Sequence, residues 1–443
     1  MTIGILTALL RDAEATALLS DAALAQAMVR VEAALARVEA RLGIIPADAG
    51  AAIAAALEGF EPDLDDLAAG TASAGVPVPA LTIQLRRAVG EPAASFIHWG
   101  ATSQDIVDTA LVLQLRELLQ MLEERQGRLE TALVRLIERH RATVLVARTR
   151  FQQALPTTFG LKAAGWLVPL LRHRARLREL EARLLVVQFG GAAGNLAALG
   201  ERGVEVMQKL AAELDLGCPV MPWHNQRDSV AELAGWLAVV SGTLGKIGQD
   251  VLLLAQNEIG EVREASGGAS STMPQKSNPV RSEALVTIGR RAAVLVGGVH
   301  EAMLHAHERD GSAWALEWTM LPELASGAAA ALLHALCLAE TMVVDAARMR
   351  ETLASTRGQL LAEAASFALS AYMPPAQAQA LVKDAVATTS ATGQHLLEVI
   401  ATRTATSIDW ERLRTQAERP PASDHLIQRV LDAAAHGRRA PRR

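Results

Sequence analysis

The run Gly267-Gly268-Ala269-Ser270-Ser271-Thr272-Met273-Pro274-Gln275-Lys276-Ser277-Asn278-Pro279 collects residue types suited to proton transfer beside a forming anion. Its glycines permit movement, and its prolines limit where the backbone bends. Hydroxyls, the Lys276 ammonium and the Asn278 carboxamide can together move a proton and hold a developing negative charge. Gly, Ser, Asn and Pro are also ordinary loop residues, so composition alone leaves a plain surface loop equally open.

Four further polar clusters interrupt an otherwise apolar pattern, each at the end of an expected helix: His98 to Asp105, Arg148 to Thr158, Trp223 to Asp228 and His305 to Asp310. They are rich in Arg, Thr, Ser, Gln and Asn and poor in carboxylates. Helix N-termini add N–H groups and the positive end of a dipole. Together these features suit a small substrate with several carboxylates. Each cluster also has a plainer account. Thr102 and Asp105 match a capping box, so Thr102 and Ser103 serve equally well as caps. Asp105 and Asp108 fit the helix dipole better than acid–base work. Arg148 and Arg150 fit surface ion pairs, and His224 fits a structural hydrogen bond. His305 and His307 are two apart on a helical pattern and do not face one another, so no metal is expected. The glycine-rich Phe189 to Asn195 follows a helix and lacks a phosphate-loop lysine, which makes it a tight helix connection.

Those clusters need long, rigid elements to position them. The chain has 443 residues, 50% hydrophobic but only 3% aromatic, so Ala and Leu do the packing and closely packed helices are favoured over a sandwich. From Ile106 to about His140, leucines recur at spacings of three, four or seven with no proline. Further long helices are expected over 157–187 with a kink at Pro169, 228–261, 278–307 and 321–345. No strand of useful length is expected, and 70–79 reads as a polar linker. The fold class is all-α: residues 1–105 form an N-terminal helical domain, 106–345 a long-helix bundle, and 346–443 a C-terminal helical domain. Wide apolar arcs on the bundle helices suggest packing against other subunits. The net charge of −5 gives no nucleic-acid footprint. Two cysteines without metal or redox spacing suit a cytoplasmic protein. Charges interrupt every apolar run, so no membrane span is expected, and no cofactor motif is found.

Ser270 to Pro279 resembles the signature of the fumarase/aspartase superfamily, and His98 to Thr109 and Arg148 to Thr158 resemble its two other active-site regions, in the same order. Within it the chain is most similar to the 3-carboxy-cis,cis-muconate cycloisomerases, over nearly its whole length. Val31 to Val38, Gln188 to Ala192, Trp223-His224 with Gln226-Arg227-Asp228, and His307-Glu308-Arg309 with Trp314 and Glu317-Trp318 carry that closer match. The resemblance implies a homotetramer with a shared helical core and active sites built from three subunits. It implies Ser270 as the catalytic serine, with Lys276 and Asn278 holding the carboxylate of the intermediate. His98, Thr102, Ser103, Arg148, Arg150, Gln152, Gln226, Ser271, Met273 and Arg309 are the expected substrate-binding residues.

The implied reaction is lactone formation in aromatic-compound breakdown by the protocatechuate/β-ketoadipate route. One carboxylate adds to a C=C bond, charge gathers on a second as an aci-carboxylate, and a proton is added at carbon. Many relatives carry Thr-His where this chain has Thr149-Arg150, and that His assists a poor leaving group. A carboxylate leaving group needs no such help, and Arg150 can pair with an extra carboxylate. Arg150, Gln153 and Ala269 also depart from the cycloisomerase pattern. They leave open another lyase acting on a sulfomuconate, nitrosuccinate or adenylosuccinate type of polyanion, and a catalytically dead structural relative.

Overall fold

The computed structural model describes residues 4–265, 267–269 and 272–439. It is 69% helical, which settles the all-α class. Among the described residues, the five longest helices are Ser103–Arg139, Phe159–Leu184, Asp228–Leu254, Val280–Glu301 and Gly311–Thr341. The first has 37 residues, about 55 Å of helix. The expected helices are all present, and the differences lie at their ends. The third stops at Leu254, short of Gly260 with its φ of 63°. The fourth ends at Glu301, so His305 to Asp310 form a loop rather than closing a helix. The fifth starts early because the Asp310 carboxylate caps the N–H groups of Ser312 and Ala313.

Two compact units emerge. One comprises Met1–Arg125, His173–Gly245 and Val286–Leu333; the other comprises Gln126–Arg172, Lys246–Leu285 and His334–Arg443. Each long helix contributes residues to both.

The first unit opens with short helices. Ser20 caps the 21-residue helix Asp21–Arg41, whose inner face joins the core through Met28, Leu35 and Val38. The helix Ala47–Leu57 lies so close that a Cβ at Gly50 would sit 2.3 Å from Cβ of Ala40. The expected linker at 70–79 is largely helical: Asp63 caps Leu64–Ala74, Gly75 ends it at a φ of 77°, and Pro79 sits in the first turn of Val78–Val89.

The second unit contains the departure from the expected absence of strands. Val144–Thr149 and Gln152–Thr158 pair as an antiparallel hairpin, with a register shift between Val146 and Arg148. Gly268–Ala269 pairs with Ser277–Asn278. A separate core gathers Leu361, Leu369, Val382 and Ile400.

Asp228–Leu254 and Gly311–Thr341 are long and apolar enough to cross a membrane by length and composition. The most apolar stretch of the latter is 78% buried inside the protein, as a core helix is.

Candidate active site

In the first unit the polar residues converge on the start of the helix Ser103–Arg139. Asp105 is buried and accepts five hydrogen bonds. The donors are the N–H groups of Thr102, Gly190 and Gly191, each at 2.9 Å, the Gln188 amide at 3.1 Å and His224 Nε2 at 2.8 Å. The capping box is therefore half made. Its acidic partner binds the Thr102 N–H, but the Thr102 hydroxyl turns to Arg309, accepting from Nη1 at 2.6 Å. Arg309 also donates to Gln104 at 3.3 Å, and Gln104 donates to the His224 carbonyl at 2.8 Å. The glycine-rich connection after the second long helix is thus a nest of N–H groups around an internal carboxylate.

One turn on, Asp108 receives both arms of the Arg227 fork at 2.6 and 3.1 Å and the Trp314 indole at 3.0 Å. Glu317 takes the other edge of the same guanidinium at 3.0 and 2.5 Å, and the Trp223 ring lies 4.8 Å from it. Burial works against the charge on Arg227, but Asp108 and Glu317 outweigh it and hold the guanidinium protonated more firmly than usual. Burial raises the Glu317 pKa, offset only in part by Arg227. This lock fixes the first two turns of the long helix against the segment 223–228. His98 pairs with Glu32 at 2.6 Å. Ser103 is half-buried, and Gln226 is exposed, its amide 3.6 Å from Met221 Sδ.

In the second unit, both arms of Arg148 are taken by buried Glu261 at 2.9 and 3.0 Å, which pins the hairpin next to its tip. Arg150 and Phe151 form its two-residue tip, with φ of 50° and 64°. Arg150 and Gln152 are exposed. The segment from Gly267 to Asn278 is closed at its base. A Cβ at Gly267 would lie 1.9 Å from Ser277 Oγ, so a larger residue there would displace the Ser277 hydroxyl. Glu264 accepts from the Ser282 N–H at 2.8 Å and its hydroxyl at 2.7 Å, capping the helix Val280–Glu301. The Lys276 N–H donates to the Met273 carbonyl at 3.0 Å. Lys276 and Met273 are exposed and Asn278 half-buried. Ser270 and Ser271 lie outside the described residues.

Each unit therefore presents a cationic, hydroxyl- and amide-rich surface suited to carboxylates. A family model described as Lyase matches residues 6–294. The chain belongs to this lyase family, the fumarase/aspartase superfamily. It is 40% identical to a 3-carboxy-cis,cis-muconate cycloisomerase of Bradyrhizobium diazoefficiens, over 97% of this chain and 98% of the relative. A Pseudomonas aeruginosa protein of the same name is 49% identical, over 80% of this chain and 78% of its own. The crystal structure of 3-carboxy-cis,cis-muconate lactonizing enzyme from Pseudomonas putida superposes with a TM-score of 0.91 at 39% identity, covering 98% of this chain and 99% of that one.

The anchors of this lyase escaped the sequence reading. Asp105 keeps the expected capping contact to the Thr102 N–H, but it and Asp108 are hydrogen-bonding hubs rather than partners of the helix dipole alone. Glu32, Glu261 and Glu264 carried no role, because a glutamate on a helical pattern reads as solvated until its partner is known.

Proposed function

We propose that this chain is a 3-carboxy-cis,cis-muconate cycloisomerase. The whole-length similarity to enzymes of that name carries the reading. The substrate is a trianion. One carboxylate oxygen bonds to a carbon of a conjugated C=C bond, and the π electrons move onto a second carboxylate as an aci-carboxylate. A proton added at the neighbouring carbon restores that carboxylate. The lactone is a dianion, so one proton is taken up. Lys276 and Asn278 stabilise the aci-carboxylate by fixed charge and hydrogen bonding. Ser270 delivers the proton, which requires a hydroxyl activated by its surroundings. Arg309, Thr102, Ser103 and His98 bind carboxylates from one polar set; Arg150, Gln152 and Ser271 do so from the other, and Met273 and Gln226 line the pocket. Arg148 acts through the hairpin that it anchors.

Membership of the family supports a homotetramer whose sites draw segments from three copies of the chain. The proposed setting is the cytoplasm and the breakdown of aromatic compounds.

Mixing purified protein with 3-carboxy-cis,cis-muconate should bleach the diene absorbance; an unchanged spectrum at micromolar enzyme overturns the reading. Arg150 favours one alternative, a lyase of the same family acting on another polyanion. Release of fumarate from a succinyl-type substrate would select it.

A further inference from the structure

The helix Asp21–Arg41 turns two carboxylates inward. Glu32 is 2% exposed and sits 2.6 Å from Nδ1 of His98. The His98 backbone has a φ of 65°, a region that costs a residue with a side chain on the order of 1 kcal/mol. Among the described residues the other ring nitrogen, Nε2, makes no hydrogen bond, and the side chain stays 18% exposed. The imidazole is thus tied at one nitrogen and open at the other. A carboxylate at Nδ1 keeps a proton there, so protonation of the ring places an N–H at Nε2, on the open side.

The charged groups facing the ring are Glu32, Asp105 and, from the helix Val78–Val89, Arg86. Burial and Arg86 oppose its charge; Glu32 and Asp105 outweigh them, and the ring keeps its proton to higher pH than usual. Glu39 lies two turns along from Glu32, fully buried, with neither carboxyl oxygen hydrogen-bonded. Burial and then the Glu32 charge push it up to about 9. At neutral pH Glu39 is a neutral acid.

We propose that Glu32 is a positioning residue that clamps His98 as an imidazolium, so that its Nε2–H grips one carboxylate of the substrate. The clamp rests on the polycarboxylate reading above and adds a residue from a helix outside the three signature regions.

Diethyl pyrocarbonate acylates only the neutral imidazole. Its rate at His98, followed by peptide mass spectrometry on substrate-free enzyme, therefore titrates this ring. Glu32→Gln should lower the midpoint by about one pH unit or more. It should raise KM for the muconate about tenfold while kcat changes less. Glu39→Gln should leave both readouts at wild-type values. An unshifted midpoint in Glu32→Gln overturns the clamp. If that variant does not fold, His98→Asn takes its place, since Asn tolerates the left-handed backbone. It should raise KM about tenfold, and a wild-type KM overturns the proposal. A shifted midpoint in a protein that does not turn over the muconate supports the clamp and removes the assigned substrate.

Discussion

Glu39 makes stability depend on pH in an unusual direction. Its carboxyl titrates near 4.5 in an unfolded chain and is held up to about 9 in the folded one. Between those values the unfolded chain releases a proton that the folded chain keeps. The folded state therefore loses stability as pH rises from 4.5 towards 9, by up to about 1.4 kcal/mol per unit. Glu39→Gln is neutral at every pH and removes this dependence. The variant should be the more stable by a few kcal/mol at pH 8, with the two proteins converging near pH 4.5. Urea unfolding across that range checks this; parallel stability curves would show that Glu39 is not buried as an acid. The sequence hides the difference between this residue and its neighbours. Glu32 and Glu39 are seven apart and share the inner face of their helix. Arg37 and Arg41, four apart, turn outward to Glu213 at 2.7 and 2.6 Å. All four read as charges on one amphipathic helix, and only the fold separates the two buried carboxyls from the two outward arginines.

The hairpin of the second unit is the element that the sequence conceals best. Val144 to Thr149 does not alternate cleanly: Leu145 and Val146 are both buried, and the register shifts after them. Its turn is Arg150-Phe151, where a two-residue hairpin ordinarily takes Asn-Gly because both positions need positive φ. Phe151 is 85% exposed, so packing does not repay that conformation. Strain held at an exposed tip inside a signature region is the pattern of a functional constraint. Replacing the tip, as Arg150→Asn with Phe151→Gly, should raise stability by about 1 kcal/mol. It should also raise KM for the tricarboxylate at least tenfold, through loss of a charge-assisted pair. Thermal unfolding and initial rates on one preparation test both halves. A tip that gains stability and keeps its KM would remove Arg150 from substrate binding.

At the scale of the molecule, leucine spacing and proline positions made the five long helices legible. The polar clusters were legible as breaks in that pattern. Their internal wiring was not, because its partners are remote in sequence: Asp105 meets Gly190 across 85 positions and Asp108 meets Arg227 across 119. Each compact unit is assembled from three separate stretches, with cuts inside helices that no local signal marks. The same division supplies a test of the proposed assembly. Arg309 and Thr102 belong to one unit, Lys276 and Asn278 to the other. If a site takes these sets from different copies, Arg309→Ala and Lys276→Met damage different contributors to it. Each variant alone is expected to be nearly inactive, because every site then lacks one group. After the two are mixed, dissociated and reassociated in equal amounts, about a quarter of the sites should combine two intact contributors. Activity should recover to that fraction of wild type, in a particle four times the 47.0 kDa chain mass. Recovery requires sites shared between subunits; a mixed oligomer that stays inactive would mean that each chain builds its site alone.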